Sequence, residues 1–323
     1  MKYKPYPITV KPILKEQVWG GNAISAYVRL PKGKHIGEAW FMADQQGNAS
    51  VISNGAYRGM PLDVFMAKYG QLALGKKIAL KYGKRFPLLF KFIDSRDKLS
   101  VQVHPDDATA RKKENKPGKA EAWYVIKSGI GSYVYAGFSK RMPGKQQIIE
   151  AAENGSIHKY LKKYGTKGGD AFFVPPGTVH SIGPGNLIFE IQQNSDITYR
   201  LYDWGRKNLG VQRELHVLSA ADAVRDVTAA GKCHCRKEKY GNIRVKTLVK
   251  SVWFDAYEIK ARKKSEIRKG CRPCVIAVIK GRVKASAGGS SHFFKRGSVV
   301  LMPAADYAIR AAKDAKIILV DIK

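Results

Sequence analysis

The stretch Gly169-Asp-Ala-Phe-Phe-Val-Pro175-Pro-Gly177-Thr-Val-His180 joins a strand signal to a tight turn and a histidine. Residues 171–174 favour a strand because aromatic and β-branched side chains suit a pleated sheet. The Pro and Gly residues that follow end this strand and turn the chain back. His180 then begins the next strand and is directed into the mouth of a barrel. By itself, such a histidine is either a packed interior residue or a metal ligand.

Short strands bounded by Gly, Pro, Asn or Asp recur through the first two thirds of the chain. We predict strands at Ile78–Tyr82, Leu88–Ile93, Ala122–Ile126, Ala171–Val174 and Leu187–Gln192. The helical pattern is local, and we predict helices at Leu62–Tyr69, Pro105–Lys113, Lys145–Tyr160 and Ala220–Ala230. Many short strands with few short helices indicate a mainly β fold built as an antiparallel sandwich or barrel.

A second series of strands follows the polar segment 225–242. These strands are predicted at Ile243–Val249, Phe254–Ile259, Val275–Ile279, Val299–Met302 and Ile317–Ile322. The segment 297–303 repeats the rhythm of 169–175, which indicates a duplicated barrel, but no histidine follows it. We therefore expect two domains: residues 1–230, with the site and helical insertions, and residues 231–323, a smaller β-barrel without a metal site.

Composition limits the class of protein. The 323 residues, of which 44% are hydrophobic, are enough for one large or two ordinary domains with a real core. The sequence contains no apolar run near the roughly 18 residues of a membrane helix, and its first residues lack the apolar segment of a signal peptide. We expect a cytoplasmic protein without a membrane partner. The sequence leaves the oligomeric state open, with a monomer as one alternative.

The chain is strongly basic, with 58 Lys and Arg against 26 Asp and Glu and a formal net charge of +32. Such an excess is typical of nucleic-acid binders. Here, however, the basic residues are spread from Lys2 to Lys323 and accompany no helix-turn-helix or RNP-type motif. We favour a solvated surface that steers an anionic small molecule over a specific nucleic-acid partner. At low salt this surface would also bind nucleic acid weakly and without sequence preference.

A second segment, Val101-Gln102-Val-His104, supplies further ligand types. Side chains two apart in a strand face the same way, so Gln102 and His104 present an amide and an imidazole to one point. Glu121 opens another predicted strand. Taken alone, each residue has another interpretation: Gln102 as an interior hydrogen-bonding amide, and Glu121 as the solvated end of a strand. Together with His180 they form a nitrogen and oxygen set suited to zinc or another divalent ion.

Several ordered segments resemble the type I mannose-6-phosphate isomerases, particularly the short bacterial form, and the spacing G-x5-P-x-G-x2-H resembles the second conserved motif of cupin barrels. The segments are 86–94, 99–107, 118–124, 174–180 and 190–200, with Trp19-Gly-Gly21 and Gly37-Glu-Ala-Trp40 fitting the family's opening. The resemblance implies duplicated cupin-type jelly-roll barrels. It also implies a zinc-dependent interconversion of mannose 6-phosphate and fructose 6-phosphate by proton transfer through an enediolate.

The resemblance places the family's metal ligands on Gln102, His104, Glu121 and His180, and its active-site arginine on Arg200. An aldose–ketose exchange also needs a base and a grip on the phosphate. The planar fork of Arg200 can pair with an anionic group.

Lys119 is a candidate base, because a nearby divalent cation disfavours its ammonium form, and a solvated loop lysine is the alternative. Asp196 either assists ring opening or caps its turn. Lys91 lies among apolar residues, where an unpaired ammonium is costly, so it has a function or a buried partner. Lys91 and Ser100 are candidates for holding phosphate or hydroxyls. Trp19 either walls the pocket or packs.

The four cysteines form two pairs, Cys233-His-Cys235 and Cys271-Arg-Pro-Cys274. Four thiolates could hold a second, structural zinc ion, although the first spacing is tighter than usual. Free thiols are the alternative, and a disulfide is disfavoured in a cytosolic setting. The family resemblance does not extend to these cysteines.

Two other functions compete with the isomerase. A non-catalytic cupin that senses a sugar phosphate would not need Glu121 and Arg200 together. A metal-dependent cupin oxygenase usually has a His-x-His pair, and Gln102 stands in the first His position. The ligand set and Arg200 therefore favour the isomerase, with the sensor as the main alternative.

Overall fold

The computed structural model describes residues 3–45, 47–208 and 211–323, which form two β-barrels that share a core. No helix in these ranges is long and apolar enough to cross a membrane. The α-helices are α1 Leu62–Leu74, α2 Lys76–Tyr82, α3 Asp107–Glu114, α4 Lys145–Glu153 and α5 Val217–Ala223. Short 3-10 helices lie at Ala23–Ala26, Gly55–Tyr57 and Ile157–Tyr160.

The strands of the first two thirds are β1 Ile8–Thr9, β2 Ile13–Gly21, β3 Ile36–Phe41, β4 Leu88–Ser95, β5 Val101–Val103, β6 Glu121–Ser128, β7 Tyr133–Phe138, β8 Leu161–Gly165, β9 Ala171–Val174, β10 His180–Ile182, β11 Asn186–Gln193, β12 Tyr199–Tyr202, β13 Lys207–Asn208, β14 Val211–Gln212 and β15 Gly231–Lys232. The later strands are β16 Lys237–Tyr240, β17 Ile243–Lys250, β18 Phe254–Ala261, β19 Ser265–Lys269, β20 Cys274–Lys280, β21 Arg282–Ala287, β22 Ser290–Lys295, β23 Val299–Met302, β24 Tyr307–Ala311 and β25 Lys316–Ile322.

The first barrel is made of two antiparallel sheets, ordered β15-β9-β6-β11-β4-β2-β3 and β12-β5-β10-β7-β8. Side chains from both sheets, including Trp123, Phe172 and Ile182, form one apolar cluster between them. Helices α4 and α5 cover the outer face of the smaller sheet, where Ile148 and Ala220 are buried. The smaller sheet therefore has one face toward the barrel interior and the other against helices.

The second barrel repeats this plan with sheets ordered β1-β23-β20-β25-β18-β17-β16 and β19-β24-β21-β22. Ile276, Val283 and Ile309 belong to the cluster between these two sheets. Strands β9 and β23 coincide with the predicted runs at 171–174 and 299–302. The predicted mainly β fold with a duplicated barrel is confirmed.

Two short strands connect the barrels. Strand β1, near the amino terminus, pairs with β23 of the second barrel, whereas β15 pairs with β9 of the first. With the predicted boundary between residues 230 and 231, each barrel therefore completes one sheet with a short strand from the other domain. We propose the division into domains 1–230 and 231–323, with β1 and β15 each completing a sheet of the other domain.

The two seven-stranded sheets pack against each other, which explains why the central strands have long apolar runs. In β4, Phe90 and Phe92 belong to the core shared with the second barrel, whereas Ile93 belongs to the interior of the first. Strands buried on both faces carry apolar residues without alternation. Across the same junction, the Tyr124 hydroxyl donates to Glu258 on β18.

Some predicted elements differ from the structure. The run Ile78–Tyr82 lies in helix α2, so the predicted strand is wrong. Lys, Ala and Leu are good helix formers, and Ile78 alone is buried while Leu80 is 76% exposed. Helix α4 ends at Glu153, before Gly155 with φ +76°, and α5 ends at Ala223. The predicted helix at 145–160 was therefore too long, and the one predicted at 220–230 began and ended too late, because α5 is Val217–Ala223.

Candidate active site and metal centre

Neighbouring strands of the smaller sheet place three predicted side chains in one row. Gln102 on β5 is the register partner of both His180 on β10 and Arg200 on β12. Because paired residues across strands point to the same face, their side chains meet. Glu121 opens β6 in the facing sheet, opposite Val174 and Gln192. The two sheets thus bring residues distant in sequence to the same end of the barrel.

The turn before His180 requires glycine at position 177. Gly177 has φ +85°, and an added Cβ would lie 2.7 Å from Cβ of Arg225. Its N–H donates to the carbonyl oxygen of His104 at 2.8 Å, which ties the turn to the end of β5. The glycine therefore fixes His104 and His180 relative to each other.

His104, Glu121 and His180 form a compact buried cluster. Their ligand atoms lie within 4.8 Å of one another, and each residue is 1% exposed. Nε2 of His104 is 3.1 Å from Oε1 of Glu121, and Nε2 of His180 is 3.6 Å from Oε2. Among the described residues, Oε2 has no hydrogen-bond partner. A buried carboxylate oxygen without a partner beside two imidazoles fits a divalent cation.

The charges of these groups favour metal binding. Burial and the neighbouring Lys119 lower the pKa of His104 to about 3, and burial also lowers the pKa of His180. Burial alone would raise the pKa of Glu121, but Lys119 and the two histidines hold it well below its usual range. Near neutral pH the site therefore offers two neutral imidazoles and a carboxylate, which are the protonation states that ligate metals.

Gln102 contacts the same cluster through its amide. Its Nε2 lies 3.2 Å from Nε2 of His180, and its Oε1 accepts from the Ser100 hydroxyl at 3.2 Å. A reversed amide would turn the oxygen toward the histidines, and a hydroxyl both donates and accepts, so Ser100 satisfies either orientation. The predicted role of Gln102 as a fourth ligand is compatible with this geometry when the amide is reversed.

Lys119 is buried, which differs from the alternative of a solvated loop lysine. Its Nζ is 3.1 Å from Oε1 of Glu121 and 3.2 Å from Nε2 of His104, and the residue is 4% exposed. A buried ammonium is stable only when it is paired. Lys119 therefore shares the acceptor atoms of the metal cluster.

Lys91 has the buried partner that the sequence predicted as one alternative. It is the register partner of Glu190, and its Nζ lies 3.1 Å from Oε2 of that residue and 4.0 Å from Oε2 of Glu38. Burial opposes the charge of Lys91, but both carboxylates outweigh it and raise its pKa. Trp123 donates to Glu190 at 3.1 Å. Lys91 is thus an ammonium held at the cavity wall.

Arg200 lies partly buried at the cavity wall. One Nη donates to the carbonyl oxygen of Glu214 at 2.7 Å, while its buried Nε has no partner among the described residues. Burial lowers the pKa of Arg200, and the positive charge of the nearby Arg213 lowers it further. Part of its planar fork therefore remains available for an anion.

Asp196 accepts from Nζ of Lys116 at 2.8 Å. Among the described residues it accepts from no backbone N–H, so its predicted turn-capping role is not observed. Its side chain is 40% exposed and lines the same cavity as Arg200.

The cavity has a volume of about 180 Å³ and combines nearly all predicted site residues. Nine of the ten line it, and the tenth, His104, contacts Glu121 of the cavity wall. Those nine are Trp19, Lys91, Ser100, Gln102, Lys119, Glu121, His180, Asp196 and Arg200. The lining residues that we did not predict as site residues are Gln17, Glu38, Trp40, Ile93, Leu99, Trp123, Ile182, Glu190, Thr198 and Arg213. A sequence signal for Glu190 was available: it stands two residues before Gln192 in β11, so the two polar side chains face the same side of the strand.

The four cysteines do not form the proposed structural zinc site. All four lie in the described residues and none forms a disulfide: Cys274 is buried beside the hydroxyl of Tyr307, and Cys271 is exposed. Burial raises the pKa of Cys233 to about 12, which keeps it a protonated thiol. In the described part of the chain, the cluster of His104, Glu121 and His180 is the one group of metal-ligating side chains close enough to hold an ion. The described residues therefore give no support to the four-thiolate alternative.

The fold and this centre define a two-barrel cupin with a His, Glu and His cluster, and known proteins share the architecture. The family described as phosphomannose isomerase type I, catalytic domain, matches residues 8–131. Mannose-6-phosphate isomerase ManA of Bacillus subtilis is 33% identical over 92% of this chain and 93% of that protein. A mannose-6-phosphate isomerase of Streptococcus mutans is 31% identical over 92% of each.

Solved structures agree. The mannose 6-phosphate isomerase from Bacillus subtilis matches with a TM-score of 0.86 and 29% identity over 98% of this chain and 99% of that one. A putative mannosephosphate isomerase from Archaeoglobus fulgidus matches with a TM-score of 0.80 over 100% and 99%, but its 20% identity supports the fold alone. This chain belongs to the type I phosphomannose isomerase family, and the predicted cupin fold is confirmed.

Proposed function

We propose that this chain interconverts mannose 6-phosphate and fructose 6-phosphate. The observation that carries the proposal is the convergence of His104, Glu121 and His180 beside a cavity lined by Lys119 and Arg200. The reaction needs metal-type ligands or other oxyanion stabilisers, a base and fixed positive charge. All three are present within one cavity, and the relatives are named for this activity.

We infer that His104, Glu121 and His180 hold a divalent cation, with Gln102 as a fourth donor. Two imidazoles and one carboxylate with an open position are typical of catalytic zinc. The bound ion would supply Lewis acidity toward the substrate's oxygen atoms at C1 and C2.

Lys119 is our candidate for the base. Its Nζ contacts Oε1 of Glu121 and Nε2 of His104, which are lone pairs that metal coordination would use. In the metal-loaded protein, Lys119 would lose both acceptors and lie next to a positive charge, which favours the neutral amine. That amine can take the proton from C2 and return it to C1 of the enediolate.

Arg200 and Asp196 serve the remaining steps in this proposal. The guanidinium of Arg200 has an unpaired Nε at the cavity wall and would stabilise negative charge as the enediolate forms. Asp196 lies on the same wall, where its carboxylate can exchange a proton during ring opening.

Lys91, Ser100 and Trp19 are proposed to bind the substrate. Lys91 brings a fixed ammonium and Ser100 a buried hydroxyl, both suited to phosphate or sugar hydroxyl oxygens. Trp19 is 3% exposed and lines the cavity, so it both packs and walls the pocket. The buried ion pair of Lys91 with Glu190 orients that ammonium.

The test is a coupled assay that measures fructose 6-phosphate formation from mannose 6-phosphate, with and without chelator. We expect activity that chelator abolishes and zinc restores. His104→Ala should lose both metal content, measured by elemental analysis, and most activity. Full metal content in that variant would contradict the ligand assignment. Binding of mannose 6-phosphate without turnover in the metal-loaded protein would instead support the sensor.

A further inference from the structure

The four-stranded sheet of the second barrel, β19-β24-β21-β22, has a basic outer face and contributes no residue to the isomerase cavity. Its inner face is apolar, because Val283, Ala285 and Ile309 are buried in the barrel core. Alternation then directs the residues between them to solvent. On β21 these are Arg282 and Lys284, and the other strands continue the same pattern.

Strand register places these cations around an exposed aromatic ring. Lys284 is the partner of both Phe293 on β22 and Arg310 on β24, while Arg282 is the partner of Lys295. Phe293 is 74% exposed, and Nζ of Lys284 lies 5.6 Å from its ring centroid. The next row across the sheet consists of residues with small side chains, Ser286, Ser291 and Ala308. The ring thus has open space on one side and positive charge on the other.

The face also contains a shallow groove of about 540 Å³. Five of its nine lining residues are basic and none is acidic; the basic ones are Lys264, Arg282, Lys284, Arg310 and Lys313. Glu266, the acidic residue of these four strands, is paired with Arg268 and Arg310. Among the described residues, Lys264, Arg282 and Lys313 have no ion-pair partner. The uncompensated charge therefore lies in the groove.

We propose that this sheet face binds single-stranded nucleic acid without sequence preference. A lone exposed aromatic is ordinary on a protein surface. A ring flanked by cations on a sheet matches the general mode in which bases stack on aromatic side chains while cations follow the phosphates. A duplex hides the faces of its bases from Phe293, so a single strand is the occupant that both the ring and the charge complement.

The site is separate from the isomerase centre. The cavity near His104 is lined by residues of the first barrel and none from these four strands. Variants on the sheet should therefore leave isomerase turnover unchanged, and the two proposals can fail independently. Turnover and thermal unfolding of each variant also report whether it is folded.

The experiment is fluorescence anisotropy of a labelled 12-nucleotide oligouridylate with the full chain at about 0.05 M salt. We expect Phe293→Ala to weaken binding about tenfold and Phe293→Tyr to retain it, because both aromatic rings stack. Lys284→Gln combined with Lys295→Gln should reduce the slope of log affinity against log salt by about 1.4, since each of the two lost phosphate contacts contributes about 0.7.

The matched control is Lys76→Gln combined with Lys77→Gln, which removes two exposed charges from helix α2 on the other barrel. An equal loss in this control, or unchanged binding by Phe293→Ala, would overturn the assignment to the sheet. Tighter binding of a duplex of the same length would show that the ring is not used. Tighter binding to anionic lipid vesicles than to the oligonucleotide would replace a nucleic acid with a membrane surface.

Discussion

Single residues in the isomerase centre depend on neighbours that compensate their buried charge. Lys91 is paired with Glu190, and Lys119 is paired with Glu121. Removal of one partner from such a pair leaves an uncompensated charge in a poorly solvated site. Glu190 could not be identified from the sequence as the partner of Lys91, because the pairing of β4 with β11 brings the two residues together from distant positions.

Arg200→Lys should keep the fold and the metal but lower kcat by about 10² or more, because a lysine point charge does not reproduce the planar fork. Steady-state kinetics at constant metal content would measure this. Arg58→Lys, at an exposed position outside the cavity, is the matched control and should leave kcat unchanged. An unaltered kcat with a lower Tm in Arg200→Lys would show that the arginine only supports the fold.

The metal-free protein should lose stability in mild acid because of its buried histidines. The pKa of His104 falls to about 3 in the folded chain, against about 6.5 when unfolded. Below pH 6.5 the unfolded state binds more protons, so the free energy of unfolding decreases as pH falls toward 3. His104 alone contributes about 2 kcal/mol between pH 7 and 5, and His180 adds in the same direction.

Urea unfolding of the chelated protein at pH 7 and 5 measures this loss. His104→Gln removes one titrating imidazole, so its stability should change less between the two pH values than that of the wild type. Equal changes in both proteins would mean that His104 titrates normally.

Secondary-structure elements were predictable where local chemistry and tertiary packing agree. The runs at 171–174 and 299–302 combine β-forming residues with Gly and Pro boundaries, and both are strands with those bounds. The run at 78–82 is also rich in apolar residues, but it follows helix α1 and lies in helix α2, where Ile78 is the buried residue. Short apolar runs do not distinguish a strand from a helix by periodicity, so tertiary position decides.

Gly177→Ala should disturb the turn that holds the two histidines. The φ of +85° disfavours alanine, and the new Cβ would meet the side chain of Arg225. We expect a loss of about 1–3 kcal/mol in stability together with at least tenfold weaker metal binding. Gly59→Ala is the control that separates backbone strain from a steric clash of the new Cβ. Gly59 also has a positive φ, +89°, but an added Cβ would meet no atom within 4 Å. Its metal affinity should be unchanged, and equal weakening in both variants would contradict the role of this turn.

At the scale of the whole molecule, the sequence indicated two barrels but not how they exchange strands or share a core. Residues Ile8–Thr9 complete a sheet of the second barrel, and this pairing depends on contacts distant in sequence. The positions of the cysteines likewise depend on contacts distant in sequence. The two spacings satisfy a zinc motif separately, yet Cys274 lies in the core of the second barrel and Cys233 packs against the core shared between barrels.

The net charge of +32 acts on the whole molecule through its long-range field. A phosphorylated substrate approaching this surface is attracted over about one Debye length, which falls from roughly 30 to 8 Å as ionic strength rises from about 0.01 to 0.15 M. Contacts inside the cavity are screened much less. We therefore expect kcat/KM to fall severalfold over this range while kcat stays nearly constant. Stopped or coupled assays at matched pH and zinc concentration would measure both constants. A constant kcat/KM, or an equal fall in kcat, would show that the basic surface does not steer the substrate.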